Sequence, residues 1–249
     1  MFAKGDSSMK GFRRHPNGGG WVANTAQVAK TAFVGPKALV QGTAKVLEYA
    51  RIEDTAKVLD AAQISGNARV AHKAVVSERS KVSGNVSVCF NARISGTASL
   101  SGNVVVNDNV RIFGNARISG EVVVAGKAQI FGNARASDNA KVWGSSRLYG
   151  NATASGDCCI SDHADVYENA KVYGVAQVGD NSKVFGSAKV FGLAWVLQHA
   201  RVYGSAQVHE NAHLYDSAQV FGDAEVCGDT VVHETARIYS GRFITGIYY

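Results

Sequence analysis

The sequence predicts an all-β, three-faced solenoid of parallel strands, and three observations predict it. An aliphatic residue recurs at every sixth position, a small residue stands two places before it, and Gly with Asn or Asp fills much of the interval. The kernel Val110-Arg111-Ile112-Phe113-Gly114-Asn115-Ala116-Arg117-Ile118 contains all three. Counting by six from Val22 gives Val28, Val34, Val40, Val46 and Ile52. The count continues to Ile244, with only Ala136 and Ala154 departing from Val, Ile and Leu.

Each element follows from this spacing. Residues two apart in a strand point to the same side, so Ala116 and Ile118 face inward while Arg117 and Ser119 face out. Gly and Asn tolerate positive φ and supply a sharp corner. Three strand-and-corner units of six close a triangle of eighteen residues per coil. Small side chains such as Val and Ala suit the narrow interior of such a coil. Parallel strands stack about 4.8 Å apart, so about twelve coils make a rod on the order of 60 Å long.

Bulk properties narrow the function. No apolar run reaches membrane-spanning length, because Gly, Asn, Asp or a charge follows each aliphatic closely. Residues 1–20 carry charge without an apolar signal core, so cytoplasmic localisation is expected. The four cysteines, Cys89, Cys158, Cys159 and Cys227, form no C-x-x-C pair, which predicts neither a disulfide framework nor a metal site. A formal charge of +6 permits an anionic partner.

The units resemble the hexapeptide repeats of left-handed parallel β-helices, the fold of many acyl- and nucleotidyltransferases. There an aliphatic is followed four residues later by a small residue, as in Val202 with Ala206 or Val220 with Ala224. Gly19-Gly20-Trp21-Val22 is similar to the opening of the YdcK-like bacterial β-solenoids, which are often labelled as acetyltransferases. The resemblance spans roughly residues 19–246. It implies a single-stranded, left-handed coil and, by similarity to the hexapeptide enzymes, a homotrimer ahead of a dimer. Handedness is implied by the resemblance alone, since general crossover rules favour the opposite hand.

Taken in order, residues 1–20 read as a basic arm or cap with Lys10, Arg13 and Arg14. Residues 21–241 form the solenoid domain, and 242–249 a C-terminal cap or tail. Arg242 falls where the count requires Ala, so regular stacking is expected to stop there and Phe243 to Tyr249 to fold over the last coil. Gly66-Asn67, Gly84-Asn85 and Gly102-Asn103 recur every eighteen residues, which predicts asparagine stacks between coils.

Reading every eighteenth residue separates the outer surfaces. The first face carries an aromatic column, Phe113, Phe131, Tyr149, Tyr167, Phe185, Tyr203, Phe221 and Tyr239. Beside it run Arg93, Arg111, Arg147, Lys183, Arg201 and Arg237. Aromatics beside guanidiniums can stack bases or sugars and meet phosphate or carboxylate; they can equally well only stabilise the ladder by about 0.2–1 kcal/mol per pair. The second face has a serine column, Ser65 to Ser155, flanked by Lys81, Arg117, Arg135, Lys171 and Lys189. The third face, from Ser87 to His233, has Lys141 as its sole formal charge. Self-association is expected there, burying Val105, Val123, Trp143, Trp195 and Leu197.

The resemblance raises an enzyme alternative. Hexapeptide acyltransferases use a histidine as general base, and His72, His163 and His199 all fall at the corner after the third face. A projecting loop that commonly walls the active site of those enzymes is missing, since nothing interrupts the count from Val22 to Ile244. The sequence therefore predicts a self-associating structural or binding scaffold without a cofactor, contacting an anionic polymer or nucleic acid through a basic and aromatic face. The alternative is an acetyl-CoA-dependent acyltransferase with its site between subunits.

Overall fold

The computed structural model describes residues 10–249, which form forty strands, all but two of them two residues long, and no helix. From Trp21–Ala23 onward every third strand is a neighbour, and the strands stack into three long parallel sheets. The first face belongs to a 14-stranded sheet, the second and third to sheets of thirteen strands each. Paired residues lie eighteen apart, as Arg93 with Arg111 and Ile94 with Ile112. No helix among the described residues is long and apolar enough to cross a membrane.

The interior is the predicted one. Ile52, Ile112, Leu148 and Val202 are 0% exposed, as are Ala56, Ala116, Ala152 and Ala206, whereas Arg51, Arg111, Arg147 and Arg201 beside them are exposed. Each buried Val, Ile or Leu contributes roughly 1.5–3 kcal/mol. Backbone bonds then clamp coil to coil: Asn115, Arg117 and Ser119 donate N–H to Gly132, Ala134 and Ala136 oxygens at 2.7, 2.9 and 3.0 Å.

The corners explain where the acids go. Among the described residues fifteen non-glycine residues have positive φ, and twelve of them are Asp or Glu. Each corner residue leaves an N–H pointing at the coil before it, and an acidic side chain there accepts it. Asp138 accepts from Gly156 at 2.9 Å, Glu168 from Gly186 at 2.8 Å and Glu210 from Gly228 at 2.7 Å. Asn67, Asn85 and Asn103, and Asn115, Asn133, Asn151 and Asn169, form the expected amide ladders at 2.9–3.1 Å.

This arrangement makes a specific prediction at Gly114, whose φ is +71° and whose added Cβ would stand 2.9 Å from the Gly132 nitrogen. Gly114→Ala should destabilise by about 1–2 kcal/mol, the penalty of a left-handed residue. Gly114→Asp should destabilise by roughly 1 kcal/mol less, because its carboxylate gains the Gly132 N–H. Urea midpoints of the two variants check the order.

The two ends finish the stack differently, and only the C-terminal one departs from the sequence expectation. Residues Phe12–Arg14 pair antiparallel with Trp21–Ala23 and close the first coil, with Phe12 packed on the core and His15 buried. Arg13 donates to the Ala23 and Ala26 oxygens at 2.8 and 3.1 Å, and Arg14 lies 3.6 Å over the Trp21 ring. The part of the expected arm at residues 1–9 lies outside the described residues.

At the other end stacking does not stop at Arg242. Arg242–Phe243 pairs with Glu225–Val226, seventeen residues away, and Ile247–Tyr248 pairs with Val231–Val232, completing a thirteenth coil. Loss of one residue from the register turns Arg242 outward, where it meets Glu225 at 3.1 Å, and packs Phe243 on the core. Ile244, inward by count, is 54% exposed. A guanidinium cannot enter so narrow an apolar tube, and a shortened corner is the less costly arrangement.

Candidate functional site

On the first face the aromatic residues form a continuous ladder from Phe113 to Phe221. Successive ring centroids are 4.8–5.0 Å apart and the planes diverge by only 2–6°. Tyr239 leaves the ladder, tilted 37° from Phe221 at 6.3 Å. Within the ladder each ring covers its neighbour, so edges rather than faces meet solvent. Burial raises the pKa of the Tyr149 and Tyr167 hydroxyls above the usual value.

The cations beside the ladder are not equivalent. Arg147 grips the nearly buried Asp165 with two bonds of 2.7 and 2.6 Å, and that hydrogen bonding raises its pKa. Arg237 lies 5.4 Å over the Phe221 ring. Arg93, Arg111, Lys183 and Arg201 enter no ion pair among the described residues.

The second face and the corner before it form a shallow groove of about 600 Å³. Arg79, Lys81 and Arg117 supply positive charge, while Thr97, Ser99, Ser101 and Ser119 supply hydroxyls. No carboxylate lines it. Lys81, Ser99, Arg117 and Arg135 are successive partners in one ladder, so Lys81 and Arg117 stand two coils apart, about 10 Å at ordinary strand spacing. None of Arg79, Lys81, Arg117 and Arg135 is ion-paired among the described residues. The eighteen-residue count finds Lys81, Arg117 and Arg135, but Arg79 occupies a corner and joins them only through the turn.

The third face presents Trp143, 45% exposed, and Trp195, 36% exposed, with Val105, Val123 and Leu197 half-buried. Trp143 Nε1–H donates to the Cys159 sulfur at 3.0 Å, and Trp195 stacks on His213 at 4.7 Å. Burial lowers the His213 pKa from its ordinary value. Charge appears on this face in its first coils, where Glu53 accepts from Arg51 and Arg69 at 2.7 and 2.6 Å. Burial alone would raise the Glu53 pKa; the two arginine hydrogen bonds outweigh it and hold the carboxylate below the usual value.

The histidines at the corner after this face do not converge. His72 stacks on Phe90 at 4.5 Å, and its Nδ1 accepts the Phe90 N–H at 3.3 Å. His163 and His199 are exposed and two coils apart, with Asn181 at the corresponding place between them. All four cysteines are free thiols, and burial pushes Cys158 up to about 12.

The YdcK Beta solenoid repeat family matches residues 62–78. Across those residues the chain is similar to the YdcK repeat, and the three-faced stack of parallel strands continues the same β-solenoid architecture along the rest of the described residues. No curated protein matches it.

Proposed function

We propose that this β-solenoid is a binding scaffold that holds an extended anionic polysaccharide along its basic groove. The groove carries the reading: Arg79, Lys81 and Arg117 share it with four hydroxyl side chains and no acid. Unpaired cations along one ladder, Lys81, Arg117 and Arg135, suit a polymer that carries carboxylate or sulfate groups along its length, with hydroxyls bonding the sugars. Arg93 and Arg111 extend the positive charge onto the adjoining face. A nucleic acid fits less well. Its bases would need open aromatic faces, and the ladder from Phe113 to Phe221 covers its own.

Titration with dextran sulfate, and with single-stranded DNA in parallel, tests this reading. Saturable, salt-dependent binding stronger for the polysaccharide supports it, and no binding to either refutes it. The scaffold is further proposed to self-associate through Trp143, Trp195 and their neighbours, since a third face this apolar exceeds what a lone soluble chain exposes. Light scattering should return more than one chain mass; a monomer mass excludes self-association. Saturable stabilisation by acetyl-CoA in a thermal shift experiment would instead favour the acyltransferase.

A further inference from the structure

Near the C-terminal end of the second face, three chemically different donors meet across two coils. His209 follows the strand Gln207–Val208, and its neighbour in the next coil, Glu225–Val226, brings Glu225 and Cys227. One ligand atom from each of the three lies within 4.8 Å of the others, the one such group of three among the described residues. His209 Nε2 is 3.0 Å from Glu225 Oε1. Its ring is fixed by stacking on Phe191 at 4.6 Å, with planes 7° apart, and its side chain is only 12% exposed. The Cys227 side chain is fully buried.

The surroundings resemble a metal site more than a chance contact. The other ring nitrogen, Nδ1, lies 3.8 Å from a Glu210 oxygen, which adds a second negative charge beside the ring. Arg242 from the displaced last strand stands 3.1 Å from Glu225. A positive charge thus already sits beside the Glu225 carboxylate, where a bound dication would balance it.

We propose that His209, Glu225 and Cys227 bind a zinc-class divalent ion, and that Arg242 is the internal cation the ion displaces. A nitrogen, oxygen and sulfur donor set selects zinc or cobalt over calcium or magnesium. Binding breaks the His209–Glu225 hydrogen bond, the ring carrying its proton on Nδ1 in the bound form, and forms bonds from the metal to Nε2, to a Glu225 oxygen and to the Cys227 thiolate. The thiol proton leaves to solvent, and the Arg242 side chain, already 58% exposed, swings outward and opens the path to the sulfur. The sequence hides this group because its members are sixteen and eighteen residues apart, a coil's length, without any short motif.

The test is titration of the full chain with cobalt(II), read by the thiolate-to-cobalt charge-transfer band. One equivalent should develop the band in the wild type. Cys227→Ser should abolish it, and His209→Gln should weaken cobalt affinity at least about tenfold. Arg242→Gln should strengthen it by about tenfold or more, because a competing unit charge is removed. All three residues lie outside the apolar tube, and circular dichroism verifies that each variant keeps its strands. If Cys227→Ser does not fold, the opposite shifts in His209→Gln and Arg242→Gln still decide the matter. No band in the wild type, a band that survives Cys227→Ser, or weaker binding by Arg242→Gln overturns the proposal.

Discussion

Ile130→Asp should break the rod, while Gln129→Asp, one residue earlier, should leave its stability within about 0.5 kcal/mol of wild type. Ile130 is 0% exposed among side chains that offer no polar partner, and its strand neighbours are Ile112 and Leu148. The substitution forfeits roughly 1.5–3 kcal/mol of apolar burial. It also forces a carboxylate into the tube, at several kcal/mol more after relaxation. The sum, about 5 kcal/mol or above, rivals the whole stability of many domains. Because each coil touches only its neighbours, the damage should begin as an opening in the middle, visible as a new proteolytic cut near residue 130. Gln129 points outward between Arg111 and Arg147 in its ladder, so a carboxylate there gains company. Urea titration of both variants checks the contrast.

The second large effect concerns binding. Reversing Arg79, Lys81 and Arg117 together to Glu should lower affinity for dextran sulfate by about two orders of magnitude or more at low salt. Each cation that contacts a polyanion releases counterions, with a salt slope near 0.7 per contact for flexible single strands. Removing three should flatten the log–log salt dependence by roughly two units. The same reversal at Lys183 and Arg201 on the first face, outside the groove, should cost much less. Equal losses from both sets would mean that net charge alone drives binding. The three reversed side chains are all outward-facing and unpaired among the described residues, so stability should be largely preserved.

The tube was legible because its rule is local and periodic. Val or Ile at each sixth place, with Ala two before, leaves one way to bury every methyl group, and Asn67 above Asn85 follows from the same count. Departures come where another energy outranks the count. At the C-terminal end the charge on Arg242 forces the slip that packs Phe243 against the core in place of Ile244. At the N-terminal end Gly18 and Gly20, which the period does not reach, are sites of close approach. A Cβ on either would lie 2.4 or 2.3 Å from the oxygens of Val34 and Gly35. The tight packing lets the hairpin of Phe12–Arg14 close the coil.

Surface columns were equally countable, but counting does not say what a column does. The positions of Phe113, Phe131 and Tyr149 follow from the period; that their rings lie face to face follows only from side-chain geometry. The period places Asp138 and Glu168 at corners, but that they accept corner N–H groups from the next coil follows only from the backbone geometry there. Arg79, and the meeting of His209 with Glu225 and Cys227, depend on turns and on diagonal contacts between coils. No single row of the sequence displays them.

The register of eighteen is tested most directly by a disulfide. Ser119 and Ser137 occupy equivalent outward places in adjacent coils, following the paired strands Arg117–Ile118 and Arg135–Ala136. At about 4.8 Å between strands, Cys at both positions falls in the roughly 4.4–6.8 Å window for a Cα–Cα bridge. Ser119→Cys with Ser137→Cys should oxidise readily under mild conditions, and Ser119→Cys with Ser155→Cys, two coils apart, should not. Failure of the first pair to bridge, or equal bridging by both, would contradict a coil of three six-residue sides.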